Sequence, residues 1–162
     1  MSSEISSTSV NVVKASKADK KDILRFYKAQ HYSAAFIGYD QTYLIKINNN
    51  IIASAIVSAG KEPSEYWLLH ALVTDKNFQG KGFASKILQL ILTEKNQDNT
   101  NKYTKLICYA EDELASFYLA NQFQIFNSES DIATLPEEFR QRLESYQKKQ
   151  PTLSCFCRFV ND

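Results

Sequence analysis

The stretch that most limits what this chain can fold into runs from Tyr66 to Leu92. Tyr66–Thr74 carries Trp67, Leu68, Leu69, Leu72 and Val73 in one apolar run, then come Gln79, Gly80, Lys81, Gly82, Phe83 and Ala84, and then Ile87, Leu88, Ile91 and Leu92 at helical spacing. A run that apolar belongs to a strand buried on both faces, and the spacing after Gly82 predicts an amphipathic helix. A glycine-bearing turn that opens a helix lets backbone N–H groups approach an anion, and the helix dipole favours negative charge there. The expected guest is a phosphate or pyrophosphate. The pattern is neither the Walker motif, which needs Lys and then Ser or Thr after its last glycine, nor the three-glycine dinucleotide fingerprint. For a bare Gly-Lys-Gly, a simple tight turn is the competing interpretation.

The rest of the chain supplies elements to go with this core. Ser16 and Asp19 resemble a capping box ahead of a first helix with Ile23, Leu24 and Tyr27 at helical spacing. Tyr43–Ile47, the three asparagines Asn48–Asn50 and Ile51–Ser58 predict a hairpin. The polar stretch 96–102 closes the helix that starts at Gly82, and Leu106–Tyr109 is a short strand. Leu114, Phe117, Tyr118 and Asn121 line one face of another helix, after which Phe123–Phe126 is extended. Thr134 and Glu137 are expected to cap a last helix bearing Leu135, Phe139, Leu143 and Tyr146, and Leu153–Val160 is a final strand that could pair across a homodimer. Alternation of strands and helices gives the α/β (α+β) class.

Composition bounds the function. Hydrophobic residues at 44% and charged residues at 23% are the balance of a folded globular protein, and 162 residues fit one domain. The expected division is a flexible tail over 1–9 and one domain over 10–162. No segment has the roughly 20 apolar residues of a membrane span, and residues 1–9 lack the features of a secretory signal, so a soluble, cytoplasmic protein is expected. Lys and Arg exceed Asp and Glu by only 19 to 18. Such a chain has no net field to hold a polyanion, and nucleic acid is not an expected partner. Cys108, Cys155 and Cys157 cannot all pair internally, Cys155 and Cys157 share a strand face, and reduced thiols follow. With His31 and His70 as the only histidines, no metal site is assigned.

Residues 79–84 also resemble the acetyl-CoA loop of the GNAT superfamily of N-acetyltransferases: Gln or Arg, two residues, Gly, one residue, Gly or Ala. The resemblance covers about Tyr66 to Phe126 and implies a mixed, mostly antiparallel sheet of about six or seven strands flanked by about four or five helices. It implies acetyl-CoA as cosubstrate, with Gln79, Gly80, Lys81, Gly82, Phe83 and Ala84 at the pyrophosphate. Leu72, Val73 and Thr74 stand where the family pairs strand backbone with the pantetheine arm, and a β-bulge is expected there. Two positions depart from the family: Glu111 stands where an Asn is common and Gln122 where a Gly precedes the helix-ending Phe, which points to an altered helix ending.

Acetylating an amine needs a free amine, a polarised carbonyl and a proton for the leaving thiolate. Spacing from Leu114 makes Tyr118 a core residue; the resemblance makes it the general acid toward the CoA sulfur. His70 lies in Leu69-His70-Ala71-Leu72, which resembles the serotonin N-acetyltransferase branch, where a histidine helps drain the amine proton through water. A general base and a hydrogen-bonded core histidine stay open for His70. The Val73 N–H is the oxyanion donor expected at the bulge. Lys81 and Lys86 could meet CoA phosphates. Glu65, Glu111 and Tyr109 are weaker acid–base candidates, and His31 and Tyr32 could touch the acceptor. The acceptor is a small-molecule or peptide amine that no stretch identifies, although Phe36 and Tyr39 add to the aromatic supply. The alternatives are a CoA-binding sensor with little turnover, and acetylation of a macromolecule such as a protein terminus.

Overall fold

The computed structural model describes residues 10–32, 41–61 and 65–160. The tail expected over 1–9, and Phe36 and Tyr39, lie outside the described residues. Among those described there are seven strands, β1 (Val10–Lys14), β2 (Gln41–Ile47), β3 (Asn50–Ala59), β4 (Tyr66–Thr74), β5 (Lys105–Glu111), β6 (Gln124–Ile125) and β7 (Leu153–Phe159). Five α-helices accompany them: α1 (Lys20–Ala29), α2 (Phe83–Leu92), α3 (Ala115–Ala120), α4 (Glu129–Ala133) and α5 (Glu137–Lys149). The strands form one sheet in the order β1-β2-β3-β4-β5-β7-β6. Tyr66–Leu69 pair parallel with Lys105–Cys108, while β1/β2, β2/β3, β5/β7 and β6/β7 are antiparallel. The fold is the mixed, mostly antiparallel one expected.

The chain divides into two compact units, the first Met1–Val57 with Ala71–Leu92, the second Ser58–His70 with Thr93–Asp162. In the first, Thr42, Tyr43, Leu44 and Ile45 of β2 are buried in succession. Consecutive burial means the strand is covered on both faces. Ile23, Phe26 and Tyr27 of α1 pack with Leu44, Ile56 and Ala71; α2, which packs on β1 and β2, buries Ile87, Leu88, Ile91 and Leu92. Each such apolar side chain contributes about 1.5–3 kcal/mol. Leu24 lies outside this face, 43% exposed, and Phe26 takes the inward place. The Ser16 N–H donates to the Asp19 carboxylate at 2.8 Å, ahead of a 3-10 turn that leads into α1. The hairpin turn is tighter than expected: Asn48 and Asn49 both take positive φ (51° and 71°), as a type I′ turn requires, and Asn50 already pairs with Ile47.

In the second unit, Leu135 and, from α5, Phe139 and Leu143 pack on Leu68, Ile107, Cys155 and Cys157. Cys155 and Cys157 thus share a face, and Phe156 between them faces the other way. The structure corrects two expectations. Thr134 does not begin the last helix: it closes α4, donating its hydroxyl to the Asp131 carbonyl at 2.6 Å, and α5 starts after Pro136, whose missing N–H costs nothing there. The strand proposed for a dimer edge is not an edge. β7 lies between β5 and β6, and the Phe126 N–H donates to the Cys155 carbonyl at 2.9 Å, so its outer side is occupied from Cys155 to Cys157.

Candidate active site

β4 ends at Thr74, and the next residues form a short scaffold. The Asp75 N–H donates to the Ile52 carbonyl at 2.7 Å, and the Asp75 carboxylate accepts from the Asn77 N–H at 2.8 Å, capping a 3-10 turn over Lys76–Phe78. The Lys76 N–H donates to the Gln30 side-chain carbonyl at 3.2 Å, and Gln79 Nε2 donates to the Thr74 carbonyl at 3.3 Å. Gly80 and Gly82 then take φ of +77° and +83°. A Cβ added at either would meet nothing within 4 Å. Glycine is needed here for its backbone freedom and not for want of space.

α2 begins directly after Gly82, whose carbonyl accepts from the Lys86 N–H at 3.1 Å. First-turn N–H groups of a helix have no partner within it and point back out of its end, so those of Phe83 and Ala84 are aimed toward the exposed glycine turn. Phe78 and Phe83 meet edge to face at 6.3 Å; Lys81 Nζ lies 5.5 Å above the first ring and Lys86 Nζ 5.6 Å above the second. Two ammonium groups are thereby held beside a helix N-terminus, a combination suited to an anion.

Upstream, Leu72, Val73 and Thr74 are half-buried, and the irregularity expected near them falls one residue earlier, at Ala71 with φ +54°. A non-glycine residue there is uncommon and has to be held. Tyr27, which the sequence presents only as a core residue, donates its hydroxyl to the Ala71 carbonyl at 2.7 Å and lies 2.8 Å from Ser54 Oγ.

In the second unit, His70 is half-buried and its Nε2 lies 2.7 Å from the hydroxyl of the buried Ser58. Tyr118 is 4% exposed, with its ring stacked on Phe156 (5.1 Å between centroids, 22° between planes) and edge-on to Phe123 at 5.4 Å. Burial pushes the Cys108 thiol up to about 12, and a hydrogen bond from Tyr118 works the other way. Tyr118 therefore packs as the spacing predicts. Leu114, four residues before it on the same helical spacing, is itself 44% exposed and outside the buried face. α3 ends at Ala120 with Asn121 as its cap, and Gln122 just beyond adopts the left-handed conformation (φ +73°) a glycine would supply, while its side-chain oxygen accepts from Arg158 at 3.2 Å.

The weaker candidates have other occupations. The Tyr109 hydroxyl donates to the Phe139 carbonyl at 2.7 Å, and burial raises its pKa. The Glu111 carboxylate accepts from the Thr152 hydroxyl, and Glu65 pairs with Lys105 at 3.7 Å on the surface. His31 closes α1 at positive φ, and the Tyr32 ring lies 5.7 Å from Tyr27. Ser58, Ser54 and Cys108 are partners that no local pattern marks. Among the described residues, no three His, Cys, Asp or Glu side chains gather in a way that could hold a metal ion.

Comparison with known proteins adds the family. The model of the acetyltransferase (GNAT) domain matches residues 38–125, more than half of the chain. Among solved structures, a GNAT-family acetyltransferase from Streptococcus pneumoniae superposes with a TM-score of 0.67 at 12% identity, over 94% of this chain and 100% of that one. N-acetylglutamate synthase from Neisseria gonorrhoeae, solved with coenzyme A and N-acetyl-glutamate, gives 0.65 at 14% identity over 95% of this chain. This chain corresponds to 36% of that synthase's length. Glucosamine-6-phosphate N-acetyltransferase from Arabidopsis thaliana gives 0.54 at 15% identity, over 70% of this chain and 90% of that one. A search of curated protein sequences finds no significant match.

Proposed function

Because the chain belongs to the GNAT family of acetyltransferases, we propose that it moves an acetyl group from acetyl-CoA directly to a primary amine. The observation that carries this reading is the loop 79–84, with two left-handed glycines opening α2 and two lysines held on rings beside it. Backbone N–H groups of Gly80–Ala84 would take the pyrophosphate, and the backbone of Leu72–Thr74 would lie along the pantetheine arm. The amine nitrogen attacks the thioester carbon, and a backbone N–H after Ala71, with Val73 as the first choice, receives the oxyanion. The C–S bond then breaks and Tyr118 protonates the leaving thiolate, while His70, oriented by Ser58, relays the proton lost by the amine. No residue becomes acylated in this scheme. Amino acids and amino sugars enter as candidate acceptors through the gonococcal synthase and the Arabidopsis enzyme; a peptide amine is a third class.

The test is calorimetric titration with acetyl-CoA of the wild-type protein and of Gly82→Trp, with melting curves to establish that both are folded. Binding that the variant abolishes supports the reading and leads to turnover assays on glutamate, glucosamine 6-phosphate, tryptamine and a lysine peptide. Absence of binding to the folded wild type refutes it. Binding without turnover of any amine favours a CoA sensor.

A further inference from the structure

We propose that Tyr27 is a positioning residue for acetyl transfer, acting through the backbone of β4; the inference rests on the function proposed above. Ala71 is the one alanine among the described residues with positive φ, in mid-strand, and no property of its side chain favours that conformation. What holds it comes from α1. The Tyr27 ring is anchored by burial (1% exposed) and by contacts with Phe26 at 5.5 Å and Tyr32 at 5.7 Å, and its oxygen lies 2.7 Å from the Ala71 carbonyl.

A phenol has one proton, and a carbonyl can only accept, so that proton belongs on Ala71. Ser54, fully buried and 2.8 Å away, then donates its own proton to the phenol oxygen. The result is a relay from Ser54 to Tyr27 to the Ala71 carbonyl. Burial raises the Tyr27 pKa, which keeps the donor protonated across the working pH range.

The consequence follows from peptide geometry. In a trans peptide the C=O and the next N–H point in opposite directions. Fixing the Ala71 carbonyl toward Tyr27 turns the Leu72 N–H away from α1, and it sets the starting direction for the backbone of Val73 and Thr74. Those are the amides to which the proposed function assigns the thioester carbonyl and the pantetheine arm. Tyr27 thus orients the oxyanion donor without touching the substrate.

The test compares wild type, Tyr27→Phe, Ala71→Gly and the double variant. Acetyl-CoA affinity is read by calorimetry, kcat and KM by thiol release with the best amine of the panel, and the Leu72 and Val73 amide resonances with and without acetyl-CoA. Tyr27→Phe keeps the ring and loses the latch; its kcat is expected to fall roughly tenfold to a hundredfold, with acetyl-CoA affinity retained. Glycine reaches positive φ without cost, so the double variant is expected to recover much of the lost kcat. A folded Tyr27→Phe with wild-type kcat and unshifted amides, or a double variant no better than Tyr27→Phe, overturns the proposal. A wild type that binds no acetyl-CoA overturns the function itself, a result distinguishable because it appears before any variant is made.

Discussion

Replacing Gly82 by alanine separates backbone conformation from bulk in the phosphate loop. Gly82 sits at φ +83°, and a Cβ there would meet nothing within 4 Å, so no neighbouring group opposes the added methyl. What remains is the cost of left-handed backbone to an L-residue, roughly 1–2 kcal/mol. The exposed turn can relax away from that conformation when no ligand is bound and must be drawn back when one arrives. The cost then appears in affinity: roughly a 5- to 30-fold weaker hold on acetyl-CoA, since about 1.4 kcal/mol is tenfold. Asparagine tolerates the left-handed region better than alanine although it is larger, so Gly82→Asn should bind acetyl-CoA more tightly than Gly82→Ala. Calorimetry on the three proteins measures this directly. Wild-type affinity in Gly82→Ala would refute the conformational argument, and so would Gly82→Asn binding more weakly than Gly82→Ala, which would make side-chain bulk against the ligand decisive.

Three further outcomes follow from named contacts. Tyr118→Phe keeps the stack on Phe156 and loses the hydroxyl, so kcat should fall by roughly 10²–10⁴-fold with acetyl-CoA affinity kept; unchanged turnover would leave Tyr118 a core residue only. All three cysteines are free and buried, and burial raises Cys108 to about 12 and Cys157 to about 11. A disulfide reagent such as DTNB should therefore react slowly with the native protein and rapidly with the denatured one, and a fast native reaction would contradict the burial. Asp19 is held below its usual 3.8, first by the hydrogen bond from Lys46 at 2.8 Å and then by the Ser16 N–H. A depressed carboxyl stabilises the fold above its unfolded pKa and loses that contribution as pH falls through the folded one. Lys46→Met should thus be less stable at pH 7, by about 0.5–1 kcal/mol, and converge with wild type near pH 2 in denaturant melts; a gap that persists in acid would mean the loss is packing.

How far local sequence carries is shown by the elements it did and did not reveal. β4 is legible to its ends because its run is apolar but for His70 and Thr74, with Leu68 and Leu69 buried in succession, and α2 because its buried residues all recur at helical spacing. β1 is not, since as an edge strand it pairs on one side only and exposes Val10 and Val13. α4 spans only Glu129–Ala133, too short for a period to emerge, yet it is capped by Ser128 and Asp131 at the same spacing as Ser16 and Asp19. At Thr134 local sequence is ambiguous, because a hydroxyl three residues before a glutamate looks the same whether it starts one helix or, as here, finishes another.

The candidate site divides along the same line. Gln79–Ala84 was legible because a glycine turn, a helix start and the N–H groups between them are contiguous in sequence. The contacts that tune the site are not: Ser58 stands 12 residues from His70, Ser54 27 residues from Tyr27, and Ala71 44 residues from it. A tyrosine at the inward position of an amphipathic helix nevertheless carries a demand, because a buried phenol needs a hydrogen-bond partner. Phenylalanine would fill the same space without that demand, as Phe26 does beside it. Finding Tyr at position 27 therefore signals a buried polar partner somewhere in the fold. Which partner it is depends on a strand whose Ala71 takes positive φ and offers its carbonyl to the phenol, and that is decided only when β4 packs beneath α1.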